Sequence, residues 1–455
     1  MKGSSKINFR PYMPLNRAQE TLCPYICRLA PDETSVEIQW LDNGSDGVHT
    51  IFYGIKGENE KKALMVVDKI VHIDGLEKET DYEFYIEADN GNKSRTRLFR
   101  TGEIPEGCSV INYLHPDDPY YDMSGKFLGS PSIVRTKSGR LIASMDVFLS
   151  FKPQNLTLTF CSDDDGKTWR YLNDIYRFFW PTLFYYKDVL YIMGVTTEYG
   201  DLRIACSHDE GETWSEAKTI FYGSNFSCIY GGIHRPPMQI VPYKGRLYTT
   251  TEYGCWEYGS HLPAILSIDE DADLMNPENW SMSEVLPFEG KWAEKSGKQG
   301  DTIEGNVVCA PDGNLYSFMR YRVGEMLKLR VNTENPDAMP EFVDIVEAPV
   351  SNAMFRLLKT GDKYLLITNR RTEESSKHEC WTYRNVLSVF ESYDLENFIF
   401  VKDIFNFEHI HPEKVGFQYP NFLLENGKVS LMVRSAFNEP DNAHNSNYML
   451  FCRIS

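Results

Sequence analysis

A turn followed by a β-strand recurs six times along most of the chain, and this repeat restricts the possible fold more than any other feature. The copies begin near residues 138, 187, 244, 312, 361 and 426 and read SGRLIASMDV, KDVLYIMGV, KGRLYTTTEY, DGNLYSFMRY, GDKYLLITNR and NGKVSLMVRS. Their spacings of 49, 57, 68, 49 and 65 residues suit a four-stranded propeller blade with variable loops. Six copies therefore predict a six-bladed β-propeller over residues 108–455, with a large β-sandwich or a β-helix as the alternatives.

The rest of the sequence pattern also favours strands. Short runs rich in Val, Ile, Tyr, Phe and Thr alternate with Gly, Asp, Asn and Pro turns, and long helical periodicity is rare. Aromatic residues make up 13% of the chain, which supplies wide side chains for packing between sheets. We therefore predict an all-β protein. The segments CSVINYL and NYMLFCRI are the candidates for the two strands that pair to close the propeller.

Two further motifs repeat in phase with these strands. The segments SDDDGKTW (162–169) and SHDEGETW (207–214) share the pattern Ser-x-Asp-x-Gly-x-Thr-Trp, with Asp164 and Asp209 separated by 45 residues. These are Asp-boxes, and degenerate copies begin at Ser267 and Ser392. Asp and Gly suit a tight turn between outer strands, and the Trp anchors that turn. We assign the two aspartates a structural role.

The first part of the chain forms a separate group of strands. Residues 20–103 contain the segment GLEKETDYEFYIEA, which resembles the fibronectin type III pattern. That resemblance implies a β-sandwich in which Tyr82 forms a tyrosine corner, Leu76 precedes it by six residues, and Trp40 lies in the core. IPEGCS is the expected linker to the domain at 108–455.

Charge and composition exclude several functions. The chain has 47 Lys and Arg against 65 Asp and Glu, a net charge of −18, which argues against nucleic acid or an anionic membrane as the main partner. The N-terminus lacks a signal-peptide pattern and no apolar run is long enough to span a bilayer, so we expect a soluble, cytoplasmic protein. Cys161, Cys206, Cys309 and Cys452 lie in apolar runs and are expected to be reduced. Cysteine spacing and motifs predict no metal and no cofactor.

The segment TIEGNVVCAPDGNLYSFMRY places Glu304 at the start of one strand and Arg320 at the end of the next, around an Asp-Gly turn. With the Asp-boxes, this spacing resembles the sialidase superfamily. The segments YRNVLSVFESYDLENF and VGFQYPNFLLENGKVSLMVR resemble the family's later motifs and point to Arg384 and Tyr419.

This resemblance implies a mechanism. Tyr419 is expected to be the nucleophile, Glu304 the base that accepts the phenol proton, and Arg320 and Arg384 the ligands of an anionic group. A phenol has a pKa of about 10 and needs such a base. The loop GGIHRPPMQIVPYKGRL resembles a loop that lines the pocket, so His234 and Arg235 are expected to face the substrate. The aromatic segments DIYRFFWPTLFYY and TEYGCWEYGSH would offer stacking faces for sugar rings.

Two elements of the sialidase pattern are missing. The family's first arginine precedes a proline by two residues, and Gly129 stands at that position in FLGSPSIV. No acid lies in the loop VFLSFKPQN, and Asp146 is the nearest substitute, which we place among the substrate-binding residues. Loss of one guanidinium would weaken carboxylate binding by about 1.5–3 kcal/mol. Arg235 is a possible replacement.

The sequence thus predicts a sialidase-like exo-glycosidase that removes a terminal, anionic sugar from a glycan. One alternative is a propeller polysaccharide lyase that uses His234 or Tyr419 as base and acts on uronates. Another is a catalytically silent propeller that binds carbohydrate. The sequence names neither the sugar nor the oligomeric state.

Overall fold

The computed structural model describes residues 22–223, 231–256, 260–296, 302–380, 382–425 and 427–454. In these residues the strands form eight antiparallel sheets. One short α-helix (Lys291–Ser296) and the 3-10 turns Pro277–Asn279 and Ser375–Lys377 are also present. The predicted all-β class is confirmed. Within the described ranges, no helix is both long enough and apolar enough to cross a membrane.

The N-terminal region forms two of the sheets. Its strands are β1 (Tyr25–Pro31), β2 (Val36–Leu41), β3 (His49–Ile55), β4 (Lys62–Val66), β5 (Ile70–Ile73), β6 (Asp81–Ala88) and β7 (Arg97–Arg100). One sheet has the order β1-β2-β5 and the other β4-β3-β6-β7. Alternate residues of β6 are buried, as expected for a strand with one face on a core. Trp40 is fully buried, and the Tyr82 hydroxyl accepts a hydrogen bond from the Glu77 N–H at 2.8 Å.

The other six sheets follow one another along the chain, apart from one strand. The first sheet contains β9 (Phe127–Arg135), β10 (Leu141–Phe148), β11 (Leu156–Ser162) and β12 (Arg170–Tyr176). The second contains β13 (Phe179–Tyr186), β14 (Val189–Val195), β15 (Leu202–Ser207) and β16 (Lys218–Phe221). The third contains β17 (Gly232–His234), β18 (Val241–Tyr243), β19 (Arg246–Cys255), β20 (Ser260–Asp269) and β21 (Trp280–Met282). The fourth contains β22 (Ile303–Cys309), β23 (Leu315–Arg322), β24 (Glu325–Arg330) and β25 (Glu341–Glu347). The fifth contains β26 (Arg356–Thr360), β27 (Lys363–Asn369), β28 (Val386–Ser392) and β29 (Ile399–Asn406). Each repeated turn-and-strand segment falls in a different one of the six sheets.

The sixth sheet joins distant parts of the chain. It contains β30 (Gly416–Glu425), β31 (Lys428–Ala436), β32 (Tyr448–Ile454) and β8 (Cys108–Tyr113), in that order. The predicted pairing of the segments CSVINYL and NYMLFCRI is confirmed, because β8 pairs with β32. Cys108 and Cys452 face each other across this pair and form a disulfide. The expectation that Cys452 is a reduced thiol was therefore wrong, since the strand pairing brings Cys108 beside it.

The repeated Asp turns lie between the third and fourth strands of the first two of these six sheets. The Asp164 carboxylate accepts hydrogen bonds from the Ser162 hydroxyl at 2.8 Å and the Thr168 N–H at 2.9 Å. Asp209 makes the same bonds in its own turn, and Trp169 and Trp214 are buried beside them. Both aspartates therefore hold turns, which is the role expected for them.

Buried polar contacts fix the N-terminal sheets to the rest of the molecule. Arg97 Nε donates to Asp118 Oδ2 at 2.6 Å, and both side chains are almost fully buried. The Tyr25 hydroxyl donates to Asp174 Oδ2, also at 2.6 Å. Because a buried charge that loses its partner is strongly destabilising, these contacts hold the two regions in one arrangement.

Candidate active site

A pocket of about 810 Å³ opens where strands from five of the six sheets end. Four of the residues predicted for the site, Asp146, His234, Glu304 and Tyr419, line it. Ser130, Trp180 and Arg434 line it as well. The volume lies in the range that holds a small ligand.

A repeated backbone irregularity turns side chains into this pocket. Ser130, Trp180, Glu304 and Tyr419 lie in the first strands of four sheets and have φ values of +44°, +51°, +60° and +57°. Strand register shifts at each of these points, so each first strand carries a bulge there. Bulges re-aim side chains, and positive φ is costly for residues other than glycine. Such strain is typical of functional sites.

The residues after the bulges are small or cyclic. Pro131, Pro181 and Pro420 follow three of them and Gly305 follows the fourth. A Cβ atom on Gly305 would lie 2.2 Å from Met319 Sδ, so that position has no room for a side chain. In the sequence, each bulge therefore corresponds to a dipeptide that ends in Pro or Gly: Ser-Pro, Trp-Pro, Glu-Gly and Tyr-Pro.

A second set of ionisable residues comes from the neighbouring strands, and two of them, Asp146 and Arg434, line the pocket. Each member of the set lies five residues after the apolar residue that follows the repeated turn. The four residues are Asp146, Glu252, Arg320 and Arg434. Asp146, Arg320 and Arg434 pair with the residue just before the irregular point of the first strand, which is Gly129, Ile303 and Gln418, respectively. Glu252 pairs with His234 at the end of β17. The repeat thus carries one ionisable side chain at the same register position in four sheets.

Tyr419 lies among three guanidinium groups. Arg320 Nη1 donates to Glu304 Oε2 at 2.7 Å and to the Tyr419 hydroxyl at 3.2 Å. The guanidinium carbons of Arg434 and Arg384 lie 4.4 and 5.6 Å from the centre of the Tyr419 ring. Sequence analysis did not identify Arg434. These charges stabilise negative charge at the Tyr419 oxygen or on a ligand beside it.

The two arginines at the ring are held by neutral groups. Arg384 donates to the Thr382 hydroxyl at 2.6 Å and to the Asn352 carbonyl at 3.0 Å, and Arg434 donates to the His444 carbonyl at 2.8 Å. Burial lowers the pKa of Arg384 to about 9, which still leaves it charged at neutral pH. Because these hydrogen-bond partners are uncharged, they do not neutralise the positive charges of Arg384 and Arg434.

Asp146 forms a second wall, on the sheet next to the one that carries Tyr419 and Arg434. Its side chain is buried, and its Oδ2 accepts a hydrogen bond from the Trp180 N–H at 2.9 Å. Burial raises the pKa of Asp146 to about 6, against the opposing effects of the Ser130 hydroxyl, the Trp180 N–H and Arg434. A Cβ atom on Gly129 would lie 2.3 Å from Asp146 Oδ1. The Asp146 carboxyl thus fills the space that an arginine at position 129 would need.

His234 pairs with a second buried acid. Its Nδ1 lies 2.8 Å from Glu252 Oε2, and its ring packs against Trp180 with centroids 4.3 Å apart. Burial lowers the pKa of His234 to about 3. Burial and the nearby Glu304 charge raise the pKa of Glu252 well above its usual value. His234 is therefore neutral, with its orientation set by Glu252.

Arg235 does not face the pocket. It is fully buried, and its guanidinium donates to the hydroxyls of Thr182 and Thr249 at 2.5 and 3.0 Å and to the Met238 carbonyl at 3.3 Å. The expectation that Arg235 points toward substrate or replaces the missing arginine was wrong. Strand β17 ends at His234, and the chain then turns so that the next side chain is directed beneath the pocket.

Aromatic side chains form the rim of the pocket. Phe151 is fully exposed, and Trp256 is 48% exposed while its Nε1 donates to Glu198 Oε1 at 2.9 Å. Gln154 donates to the other Glu198 oxygen at 2.7 Å. Trp180 and Trp256 come from the two aromatic segments singled out in the sequence. Within the described ranges, no cluster of three or more His, Cys, Asp or Glu side chains is arranged to hold a metal ion.

The sequence matches a known family over residues 182–431, which is more than half of the chain. That family is described as BNR repeat-like domain. No curated protein matches the sequence.

Several solved structures share the fold. The Hadza microbial sialidase Hz136 is 13% identical, with 98% of each chain covered and a TM-score of 0.50. The intramolecular trans-sialidase from Ruminococcus gnavus is 13% identical over 76% of this chain and 96% of that one, with a TM-score of 0.51. An α-L-arabinanase from Penicillium chrysogenum is 13% identical over 76% and 97%, with a TM-score of 0.50. At these identities the similarity concerns the fold.

Proposed function

The chain belongs to the family of BNR repeat-like domains, and on that premise we propose that it is a sialidase-like glycoside hydrolase that removes a terminal, anionic sugar from a glycan. One observation carries the proposal. Arg320, Arg384 and Arg434 surround Tyr419, while Glu304 is the carboxylate bound to the nearest of them. This arrangement suits a tyrosine nucleophile next to a bound anion.

In the proposed reaction the Tyr419 oxygen attacks the anomeric carbon and the glycosidic C–O bond breaks. The phenol proton passes to Glu304, which binds the same Arg320 nitrogen as the Tyr419 hydroxyl does. The Arg320 N–H stabilises the negative charge that develops on the phenol oxygen. A tyrosine is preferable to a carboxylate nucleophile because an anionic sugar would repel the latter.

The leaving oxygen needs a proton, and Asp146 is the group best suited to supply it. It lines the same pocket, and burial raises its pKa to about 6, so it carries a proton in weakly acidic solution. Asp146, which the sequence analysis placed among the substrate-binding residues, then also acts as the general acid. Water completes the reaction by releasing the sugar from Tyr419.

The proposed substrate carries a carboxylate on its terminal sugar. Sialic acids and uronates both carry one, so these are the two classes of sugar that we propose. Arg384 and Arg434 pack on the Tyr419 ring and supply positive charge there, while Asp146 replaces the guanidinium that a sialidase holds near position 129. We therefore place the sugar carboxylate on the Tyr419 side. His234 and the rim aromatics are then available for hydroxyls and for the rest of the glycan.

The sheet orders support the domain assignment proposed from the sequence. The sequence of sheets after residue 108, closed by the pairing of β8 with β32, supports a six-bladed propeller. The orders β1-β2-β5 and β4-β3-β6-β7, with the Tyr82 bond to Glu77, support a fibronectin type III-like sandwich. The cytoplasmic location stays a prediction, and the disulfide between Cys108 and Cys452 argues against it, because such bonds persist in oxidising compartments.

Mass spectrometry of products tests the proposal. The protein is incubated with sialylated, uronate-containing and neutral oligosaccharides, beside a Glu304→Gln variant. A saturated monosaccharide released only by the unmodified protein would support the mechanism and identify the sugar. Equal turnover by the variant would refute it.

A lyase is the second candidate, favoured by the three guanidinium groups at Tyr419, which would stabilise both its phenolate and a uronate carboxylate. In that reaction the Tyr419 phenolate removes a proton beside the uronate carboxylate, and the glycan product is unsaturated and absorbs ultraviolet light. The same experiment separates the two, because the lyase product is lighter by one water. Saturable glycan binding without any product would indicate a binding propeller.

A further inference from the structure

A groove separate from the active-site pocket lies between the linker that follows β7 and the last sheet of the chain. It has a volume of about 520 Å³. Its walls come from that linker, from the segment between β29 and β30, and from the segment after β31. Among the residues that the structure describes, it shares no lining residue with the active-site pocket. A molecule in this groove would therefore not occupy the active-site pocket.

The groove has an apolar and aromatic lining. Phe407, Val415, Phe437 and Ile410 supply it, and Ile410 is 42% exposed. The rings of Phe407 and Phe437 both stack on the buried Phe417, with centroids 5.1 and 5.7 Å away. Because this stacking fixes the two rings, the groove presents apolar surface at a defined place.

Carboxylates accompany the apolar lining. The groove is lined by four of them and by one lysine, namely Glu103, Glu413, Glu439, Asp441 and Lys414. All five residues are exposed, and none of them forms an ion pair with another residue in the described part of the chain. Exposed charges contribute little affinity but select the sign of a partner's charge. The groove therefore suits a partner that carries an apolar side chain beside positive charges.

The segment before the first described residue has this composition. Residues 1–21 contain four basic residues and one acid, in a chain whose net charge is −18. Within this segment, the stretch KINFRP (residues 6–11) places Ile7 and Phe9 between Lys6 and Arg10. The charge of the segment is thus opposite to that of the groove, which favours their encounter.

The segment is also long enough to reach the groove. The Gly102 N–H donates to the Asp32 carbonyl at 3.1 Å, and a Cβ atom on Gly102 would lie 2.4 Å from Nδ2 of Asn438, which lines the groove. The groove therefore lies near Asp32, ten residues after Leu22. Ten residues of extended chain span at most about 36 Å, so residues 12–21 are sufficient to cover the same distance in return.

We propose that residues 6–11 dock in this groove of their own chain, with Phe9 on the apolar lining and Lys6 and Arg10 beside the carboxylates. Attachment to the same chain makes a modest affinity sufficient. A connection of this length gives an effective concentration on the order of 1 mM, so a Kd of about 100 μM would keep about nine tenths of the molecules in the docked form.

Zero-length cross-linking of the unmodified protein tests the proposal. A water-soluble carbodiimide joins a lysine amine to a carboxylate in contact with it, and mass spectrometry of the digest identifies the pair. Lys6 should be joined mainly to the four groove carboxylates, although the chain has 65 Asp and Glu residues. Cross-links of Lys6 mainly to other acids, or none at all, would overturn the proposal.

The same experiment identifies a different occupant. Isotope-labelled and unlabelled protein are mixed before the reaction. Cross-linked peptide pairs in which both peptides come from the same molecule carry one isotope composition, which is the expected result. Pairs of mixed composition would place the segment in the groove of a second copy and would overturn docking within one chain.

Two matched variants test which residues dock. Phe9→Ser combined with Arg10→Glu removes the apolar contact and reverses one charge, so the yield of Lys6 cross-links to the groove should fall about fivefold or more. Tyr12→Ser combined with Arg17→Glu makes an equivalent change outside the docked stretch and should keep the yield within about twofold. An equal fall in both variants would contradict docking through residues 6–11.

Discussion

The two walls of the pocket differ in how they carry charge. The Tyr419 wall holds three guanidinium groups and one carboxylate, connected by direct contacts. The Asp146 wall holds a single buried carboxyl fixed by a backbone N–H, with Gly129 beneath it. The first wall holds the four residues that the resemblance to sialidases implies there, whereas the second has Gly129 where that resemblance implies an arginine. The proposed nucleophile and the proposed proton donor thus lie in different sheets, and Arg434 acts on both of them.

Removing the Tyr419 hydroxyl should have the largest effect. Tyr419→Phe deletes the attacking oxygen while keeping the ring that Arg434 and Arg384 pack against. We expect kcat to fall by at least about 10⁴-fold, as for other nucleophile deletions. The measurement is steady-state turnover of the sugar identified by mass spectrometry. An unchanged Tm would show that the loss is chemical, and residual turnover above one per cent would contradict the nucleophile role.

Asp146→Asn should have the next largest effect, and its size should depend on the leaving group. Turnover of natural glycosides should fall by about 10²–10⁴-fold, because the leaving oxygen loses its proton donor. Aryl glycosides with acidic phenols need no such proton and should lose far less. An equal loss for both substrates would contradict the acid role without affecting that of Tyr419. Glu198→Gln, at another pocket carboxyl whose pKa is raised by burial, should leave the ratio between the two substrates unchanged.

The dependence of kcat/KM on pH should reflect the titration of the same carboxyl, that of Asp146. Asp146 acts in its protonated form, and burial raises its pKa to about 6, so kcat/KM for natural glycosides should fall as pH rises through about 6. The decline should approach tenfold per pH unit above that value. Asp146→Asn should remove this limb from the profile, whereas Glu198→Gln should keep it. A limb that survives in the Asn variant would assign the titration to another group.

Arg434→Gln should have a smaller effect that appears mainly in KM. Loss of one guanidinium near the bound anion should weaken binding by about 10–100-fold, equivalent to about 1.5–3 kcal/mol. An uncharged analogue of the substrate, such as its carboxyl amide, should bind the variant and the unmodified protein alike. A similar loss for both ligands would mean that Arg434 supports the fold around Tyr419 rather than the anion.

Gly129→Ala should have the smallest effect on activity. The added Cβ would meet Asp146 Oδ1, so the carboxyl must move by a fraction of an ångström. We expect a loss of about tenfold in turnover of natural glycosides, with aryl glycosides again less affected. If both substrates change equally, the tight contact between positions 129 and 146 has no link to proton transfer.

Much of this arrangement follows from the sequence because strand repeats are visible there. The hairpin around Asp312 and Gly313 brings Glu304 and Arg320 together as the spacing implied, and Arg320 also contacts Tyr419. Arg434 was missed although it occupies the same position in its repeat as Arg320 does. Comparing the six copies column by column would have found it, together with Glu252.

Other features depend on the path of the backbone. A register pattern does not show that Arg235 turns away from the pocket after the end of β17, since that direction is set by three-dimensional packing. The bond between Cys108 and Cys452 likewise depends on two strands that lie 344 residues apart in sequence. The strained φ angles at Glu304 and Tyr419 are indicated in sequence only by the Gly or Pro that follows each of them.

The pairing of β8 with β32 has a consequence for synthesis on the ribosome. Five of the six sheets after residue 108 are made of neighbouring segments and are able to form one after another as the chain emerges. Strand β8 is made before all of them, yet its partner is not available until residues 448–454 have been translated. During that interval β8 is an unpaired edge, open to association with other nascent chains. Completion of the last sheet is thus the step that pairs this strand edge, and the bond between Cys108 and Cys452 then links the two strands.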